Sequence, residues 1–234
     1  MSHKKETFFS IDIETDGPYP GDYSMLSFGA VAFAEDGTTL GSFETNVQAL
    51  DGASQNYDTM KNFWDKQPVA WEYCTRNPQP PEVAMTKFVE WVAKMPGDLK
   101  TAVCMPAGFD FMFMYWYMKK FAGRSPFSFS CIDTKTYVMS MRRKAYRHSG
   151  KRSWPKRWFA AKLPHTHKAI DDAVEQGITF MTMRAENLTQ DQEDAKLVTA
   201  IALDSWNKCD KVSLVGERDP NDPVPEITCV VRHE

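Results

Sequence analysis

Asp12-Ile13-Glu14 places two carboxylates two residues apart at the end of an apolar run, Thr7 to Ile13. If that run is a strand, its side chains alternate, so Asp12 and Glu14 share one face while Ile11 and Ile13 enter a core. Two carboxylates leaving a buried strand side by side repel each other unless a cation lies between them. Hard oxygen donors of this kind suit Mg2+ or Mn2+. Thr15-Asp16-Gly17 follows. Gly17 permits a tight turn whose N–H groups approach the same region, where a phosphate can be held. Alone, the pair also fits acids that simply end a strand.

Gly108-Phe109-Asp110 is a second signal, since it follows one apolar strand and opens a helix. The C-terminal ends of strands are where open α/β sheets hold their ligands, although an acid here can equally cap its own helix. The third is His165-Thr166-His167-Lys168-Ala169-Ile170-Asp171-Asp172-Ala173. A histidine and an acid close together can supply a general base and a metal ligand. If His167 is already helical, Asp171 shares its face and Asp172 lies about 140° round the helix. Asp172 becomes the partner only if His167 sits in the loop after Pro164. Spacing leaves both acids open.

Taken in order, the three segments resemble the DEDDh family of 3′–5′ exonucleases, within the RNase H-like superfamily, to which polymerase proofreading subunits and RNase T belong. The family's D-x-E-[TS]-[TD]-G is matched by Asp12 to Gly17, its Phe-Asp by Phe109-Asp110, and its H-x-A-x-x-D-A by His167 to Ala173. The resemblance spans roughly residues 7 to 184 and selects His167 and Asp172 over His165 and Asp171. It implies that Asp12, Glu14, Asp110 and Asp172 hold two Mg2+ or Mn2+ ions, with Asp12 bridging, and that His167 takes a proton from the attacking water. The substrate implied is the 3′ end of single-stranded DNA or RNA, and the product a nucleoside 5′-monophosphate. Two positions depart from the pattern. Pro106 stands where the family usually has Asn, and Pro18 and Tyr19 follow Gly17 where an apolar wedge is common. Tyr19 is then the candidate to stack on the terminal base, beside Thr15 and Gly17. Glu14 argues against the D-x-D-x-T opening of phosphatases that use an aspartyl nucleophile. A binding protein on an inactive exonuclease fold is the alternative reading.

The elements that must position these groups follow from periodicity. Thr7–Ile13, Leu26–Ala34 and Leu40–Val47 read as three strands, the last two joined at Glu35-Asp36-Gly37. Helical periodicity is expected at Thr59–Lys66, at Glu82–Lys94 with Pro81 in the first turn, and at Phe109–Phe121. Strands are expected at Thr101–Met105 and Phe127–Ile132, and a helix at Asp133–Met141 behind an acidic cap. Lys168–Arg184 reads as a helix with Ala169, Ala173, Gln176 and Phe180 on one face, and Asp191–Trp206 as another. The fold class predicted is α/β: an RNase H-like mixed five-stranded sheet, a three-stranded antiparallel meander followed by parallel strands, flanked by helices. Residues 1–185 form the catalytic domain in this reading. Residues 186–234, with 11 acids and 5 bases and with Pro220, Pro223 and Pro225 near the end, form an acidic helix and extended arm.

The net charge of −3 hides a strong asymmetry. Arg142 to Trp158 holds eight Lys or Arg and no acid, leaving 20 basic against 31 acidic residues elsewhere. Such an island steers a polyanion whatever the net charge. Arg142, Arg143, Lys151 and Arg152 are the candidate phosphate contacts, with Tyr146, Trp154 and Trp158 placed to stack on unpaired bases; the bland alternative is a solvated loop. The aromatic run Phe111 to Tyr117 reads as core and partner interface, and its all-round apolarity suggests a homodimer. The five cysteines lack zinc-site or redox spacing and are expected to be buried thiols. No apolar run reaches the roughly 18 residues of a membrane span, and the charged N-terminus runs straight into a strand without a signal-peptide pattern. A cytoplasmic protein is expected.

Overall fold

A computed structural model describes residues 4–160, 166–189 and 192–213. Strand β1 (Glu6–Thr15) is the spine of the sheet, because its two faces are buried by different layers. β2 (Met25–Phe33) and β3 (Thr39–Asn46) complete an antiparallel meander, in which Asp12 pairs with Gly29. The turn between them closes where Asp36 accepts from the Thr38 N–H and Gly37 takes φ +91°. Two short helices follow, α1 (Tyr57–Asn62), capped by Asn56, and α2 (Pro68–Thr75), with a 3-10 turn at Trp64–Lys66 between them. Then come α3 (Pro81–Lys94), β4 (Leu99–Cys104), α4 (Ala107–Phe121), β5 (Ile132–Asp133) and α5 (Thr134–Met141). The described chain closes with α6 (Ala169–Thr189), α7 (Gln192–Lys208) and β6 (Lys211–Ser213).

The strand order is β5-β4-β1-β2-β3-β6, with β4 and β5 parallel to β1 and β6 parallel to β3. Phe9, Ile11 and Ile13 face α3 and α4, packing with Phe28, Phe43, Phe88 and Tyr117. Phe8, Val31 and Phe33 face α6 and α7, against Val174, Ile178, Phe180 and Ala202. Asp12 and Glu14 therefore emerge on the α6 side, as alternation requires.

Four expectations are corrected. The sheet has six strands, because Lys211–Ser213 adds to the β3 edge, and the rest of the expected arm, including Pro220, Pro223 and Pro225, lies outside the described residues. β5 is shorter than Phe127–Ile132, because Phe127 turns inward against Phe9 and Phe88 instead of joining the sheet. The expected Thr59–Lys66 helix is two pieces, and α2 follows where Pro68 starts a helix at its first position. The basic segment does not offer Trp154 and Trp158 to unpaired bases. It forms three 3-10 turns, with Trp154 and Trp158 only 6% and 1% exposed against Val138 and Met183. Those two rings bury apolar area and cannot stack on a substrate base. Along α4, Phe111, Phe113, Met114 and Tyr117 are core. Cys74 and Cys104 are buried and Cys131 and Cys209 partly so, while Cys229 lies outside the described residues. No helix among the described residues is long and apolar enough to cross a membrane.

Candidate active site

Three elements deliver the acidic groups to one place. β1 carries Asp12 and Glu14 to its C-terminal end, where the ladder with β2 is irregular between Glu14 and Thr15. α4 brings Asp110 in its first turn, 3% exposed. Pro106, two residues past the end of β4, is the cap residue of α4 and supplies the carbonyl to which the Asp110 N–H donates at 3.2 Å. Asp133 then serves two helices: Oδ2 accepts from the Ala107 N–H at 2.9 Å and Oδ1 from the Thr136 N–H at 2.7 Å. Replacing the family's Asn by Pro106 therefore leaves Asp110 directed into the cluster.

α6 supplies the third group. It begins at Ala169, so His167 sits in the entry loop, in the left-handed region at φ +54°. From there one ligand atom each of Glu14, His167 and Asp172 lies within 4.8 Å of the others. Asp171 instead accepts from Thr166 Oγ1 at 2.6 Å. His165 and Pro164 fall outside the described residues. The entry loop is held from below: Cys74 Sγ donates to the His167 carbonyl at 3.8 Å, and the Phe63 ring meets the imidazole edge-on at 5.0 Å. The same α1–α2 wall fixes the first motif, since Trp64 Nε1 donates to the Thr15 carbonyl at 2.9 Å.

The electrostatics record the crowding. Burial, then Asp110, Glu14 and Asp172, push the Asp12 carboxyl well above the usual range, with Lys151 pulling the other way. Glu14 is raised by burial and by Asp172 and Asp110. Asp110 is pushed up to about 7, mainly by burial, with nearby backbone N–H groups opposing. One of its buried oxygens, Oδ2, has no hydrogen-bond partner among the described residues. These shifts carry a sign. The folded chain retains protons that the unfolded chain, with carboxyls near 4, releases, so stability falls as pH rises from about 4 through 7. With chelator present, the melting temperature is expected to drop between about pH 5 and pH 8, and saturating Mg2+ or Mn2+ to flatten the slope. A melting temperature that rises over this interval without metal would contradict the crowding.

The other candidates are distributed unevenly. Thr15 Oγ1 donates to the Gly17 carbonyl at 2.9 Å, and Asp16 locks the turn by accepting from the Ser24 N–H. Gly17 is required because a Cβ there would lie 2.2 Å from the Tyr23 ring. Tyr19 is 45% exposed, its hydroxyl donating to Asp22 at 3.1 Å. Lys151 pairs with Glu175 of α6 at 3.0 Å and is felt by Asp12, so this end of the basic segment reaches the cluster. Arg143 and Arg152 are exposed. Arg142 turns inward, donating to the Ser153 carbonyl at 2.6 Å with its guanidinium over Trp158. It braces the segment from inside.

Sequence reasoning missed Phe63, Trp64, Cys74 and Gly29. Gly29 pairs with Asp12, and a Cβ there would lie 2.5 Å from the Ile170 backbone, so only glycine lets α6 approach this closely. A signal existed for Gln176, a polar residue on the apolar face of α6. None marked the α1–α2 wall.

Known proteins resemble this chain in sequence and in fold. Residues 7–183 match the family model described as the 3′–5′ exoribonuclease Rv2179c-like domain. The 3′–5′ DNA exonuclease Cap18 of Escherichia coli is 28% identical over 149 residues, 63% of this chain and 75% of that protein. The nuclease domain of 3′hExo, a DEDDh family member bound to rAMP, superposes with a TM-score of 0.56 at 10% identity, over 82% of this chain and 96% of its own. Exonuclease I of E. coli in complex with an oligonucleotide gives 0.53 at 14%, over 80% and 42%. Identities this low establish the shared fold, a mixed sheet flanked by helices, which bears out the expected class. The resemblance to DEDDh exonucleases read from the motifs is likewise borne out. The matched span contains all three acidic segments and the basic segment before the last of them, and the chain belongs to the 3′–5′ exoribonuclease Rv2179c-like domain family.

Proposed function

We propose that this exonuclease domain hydrolyses the terminal phosphodiester at the 3′ end of single-stranded DNA or RNA and releases nucleoside 5′-monophosphates. In this reading Asp12, Glu14, Asp110 and Asp172 hold two divalent cations, Mg2+ or Mn2+, and His167 is the general base. The observation that carries it is the convergence of one ligand atom each of Glu14, His167 and Asp172 within 4.8 Å, beside an Asp12 raised by burial and then by the charges of the other three acids.

The donor set fits a hard cation. It is made of carboxylate oxygens, and the buried Asp110 Oδ2 has no hydrogen-bond partner among the described residues. The nearby Cys74 thiol is pushed up to about 12 by burial and by Glu14, and its Sγ is engaged with the His167 carbonyl, so it is no soft ligand. Bound there, such ions supply Lewis-acid stabilisation of the charge on the phosphate. His167, held by Phe63 and Cys74, removes the proton from the attacking water. Lys151, already near Asp12, offers a cation to the phosphate. Tyr19 flanks the Gly17 turn and offers a face for the terminal base. We read residues 186–234 as an acidic addition to a catalytic body of residues 1–185.

The outward face of the basic segment is the proposed strand track, with Tyr146 as its exposed aromatic ring. Replacing Arg143, Lys144, Arg147 and Arg152 with Ala is expected to weaken oligonucleotide binding and to reduce the salt slope by about 0.7 per lost phosphate contact. Fluorescence anisotropy at several salt concentrations measures this, and an unchanged slope removes the segment from the interface.

The family description names RNA and the E. coli relative acts on DNA by its name, so both are test substrates. Oligomers of each, labelled at the 5′ end and incubated with Mg2+, Mn2+ or chelator, are expected to shorten stepwise from the 3′ end only when metal is present. Binding without shortening of either oligomer would reject the proposal.

A further inference from the structure

α6 lies unusually deep on the sheet at two points. A Cβ on Gly29 would come within 2.5 Å of Ile170, and one on Gly177 within 2.4 Å of the Phe33 ring. Between them in the chain, on the helix face that meets the sheet, is Gln176, 5% exposed. The two N–H groups of its Nε2 are shared among three acceptors, Ser10 Oγ at 3.1 Å, the Ile11 carbonyl at 3.1 Å and the Val103 carbonyl at 3.2 Å. Ser10 and Val103 form the last register pair of the β1–β4 ladder, and the Ile11 carbonyl belongs to the peptide unit whose nitrogen is that of Asp12. Gln176 thus binds where β1 and β4 part company, one residue before the first acid. It also lies four residues beyond Asp172, on the same face of the helix.

We propose that Gln176 is a positioning residue that fixes the distance of Asp172 from Asp12 and Glu14, and through it the affinity of the carboxylate cluster for divalent cations. The inference rests on the reading of that cluster as a cation site. Apolar side chains around it fill space but tolerate sliding, because burial has no direction. Hydrogen bonds have direction. One amide engaging acceptors on two strands sets both the depth and the rotation of α6. A leucine or methionine would keep the packing and lose the registration.

The test uses the full chain with Gln176→Met, which keeps the side-chain volume. Mn2+ binding is measured by calorimetry without substrate, alongside melting with chelator and turnover as a function of Mn2+. The variant is expected to bind Mn2+ about 10- to 100-fold more weakly, the range for losing a group that orients metal ligands. The Mn2+ concentration for half-maximal turnover should rise in parallel, with the KM for the oligonucleotide unchanged at saturating metal. A lowered melting temperature with wild-type Mn2+ affinity would overturn the proposal, since that is the signature of a merely structural residue. If Gln176→Met does not fold, Ser10→Ala removes one partner and decides: weaker Mn2+ binding supports the proposal and unchanged binding overturns it. A wild-type chain that binds no Mn2+ would instead defeat the cation-site reading, and this inference with it.

Discussion

Asp12→Asn is expected to reduce exonuclease turnover at least about a thousandfold and, with chelator present, to raise the melting temperature. The two effects share one cause. Asp12 stands largely buried among Glu14, Asp110 and Asp172, and burial with their three charges opposes its ionisation. A neutral amide of the same shape relieves that repulsion, and relief of about 1–2 kcal/mol raises melting by a few degrees in a chain of this size. In the proposed reading Asp12 would hold the divalent cations, which a neutral amide would do far more weakly, and losing about 4 kcal/mol of transition-state stabilisation corresponds to roughly a thousandfold in rate. Calorimetric melting in chelator and single-turnover cleavage in Mg2+ measure the pair of effects. A variant that melts lower and still cleaves would contradict the role given to Asp12.

His167→Ala is expected to lose about 100- to 10,000-fold in turnover, the range for a general base, while keeping most of its Mn2+ affinity. His167 is near enough to Glu14 and Asp172 to share a cation with them, so the metal measurement separates two roles. A ligand removed weakens metal binding; a base removed leaves it. Its surroundings hold the imidazole in place beside the acids. The backbone is held at φ +54° with its carbonyl engaged by Cys74, and Phe63 limits the ring's rotation. Wild-type turnover in the variant would remove His167 from the chemistry.

Much of the site was legible in the sequence. Alternation along β1 put Ile11 and Ile13 in the core and Asp12 and Glu14 on the opposite face, because strand geometry leaves no other choice. Pro81 and Asp133 start their helices as local chemistry demands. The choice between Asp171 and Asp172 turned on whether His167 is helical, which spacing does not decide; the entry loop decides it. What stayed illegible depends on partners far along the chain. Trp154 and Trp158 sit in a charged stretch with Gly150 and Pro155, and only the nearness of Val138 and Met183 makes them core. Pro68 reads as a breaker until it starts α2, whose Cys74 meets His167 from 93 residues away. β6 is three residues long and exists because the β3 edge was free to pair. The close approach of α6 depends on Gly29, a glycine with nothing unusual around it in the sequence.

The central claim is that acids from β1, α4 and α6 together hold divalent cations at the reacting phosphate. Anomalous diffraction from crystals grown with Mn2+ and a nucleoside 5′-monophosphate tests it most directly. The expected result is Mn2+ peaks bounded by Asp12, Glu14, Asp110 and Asp172, with the phosphate against them and His167 beside it. Mn2+ bound elsewhere, or a phosphate seated away from those four carboxylates, would contradict it.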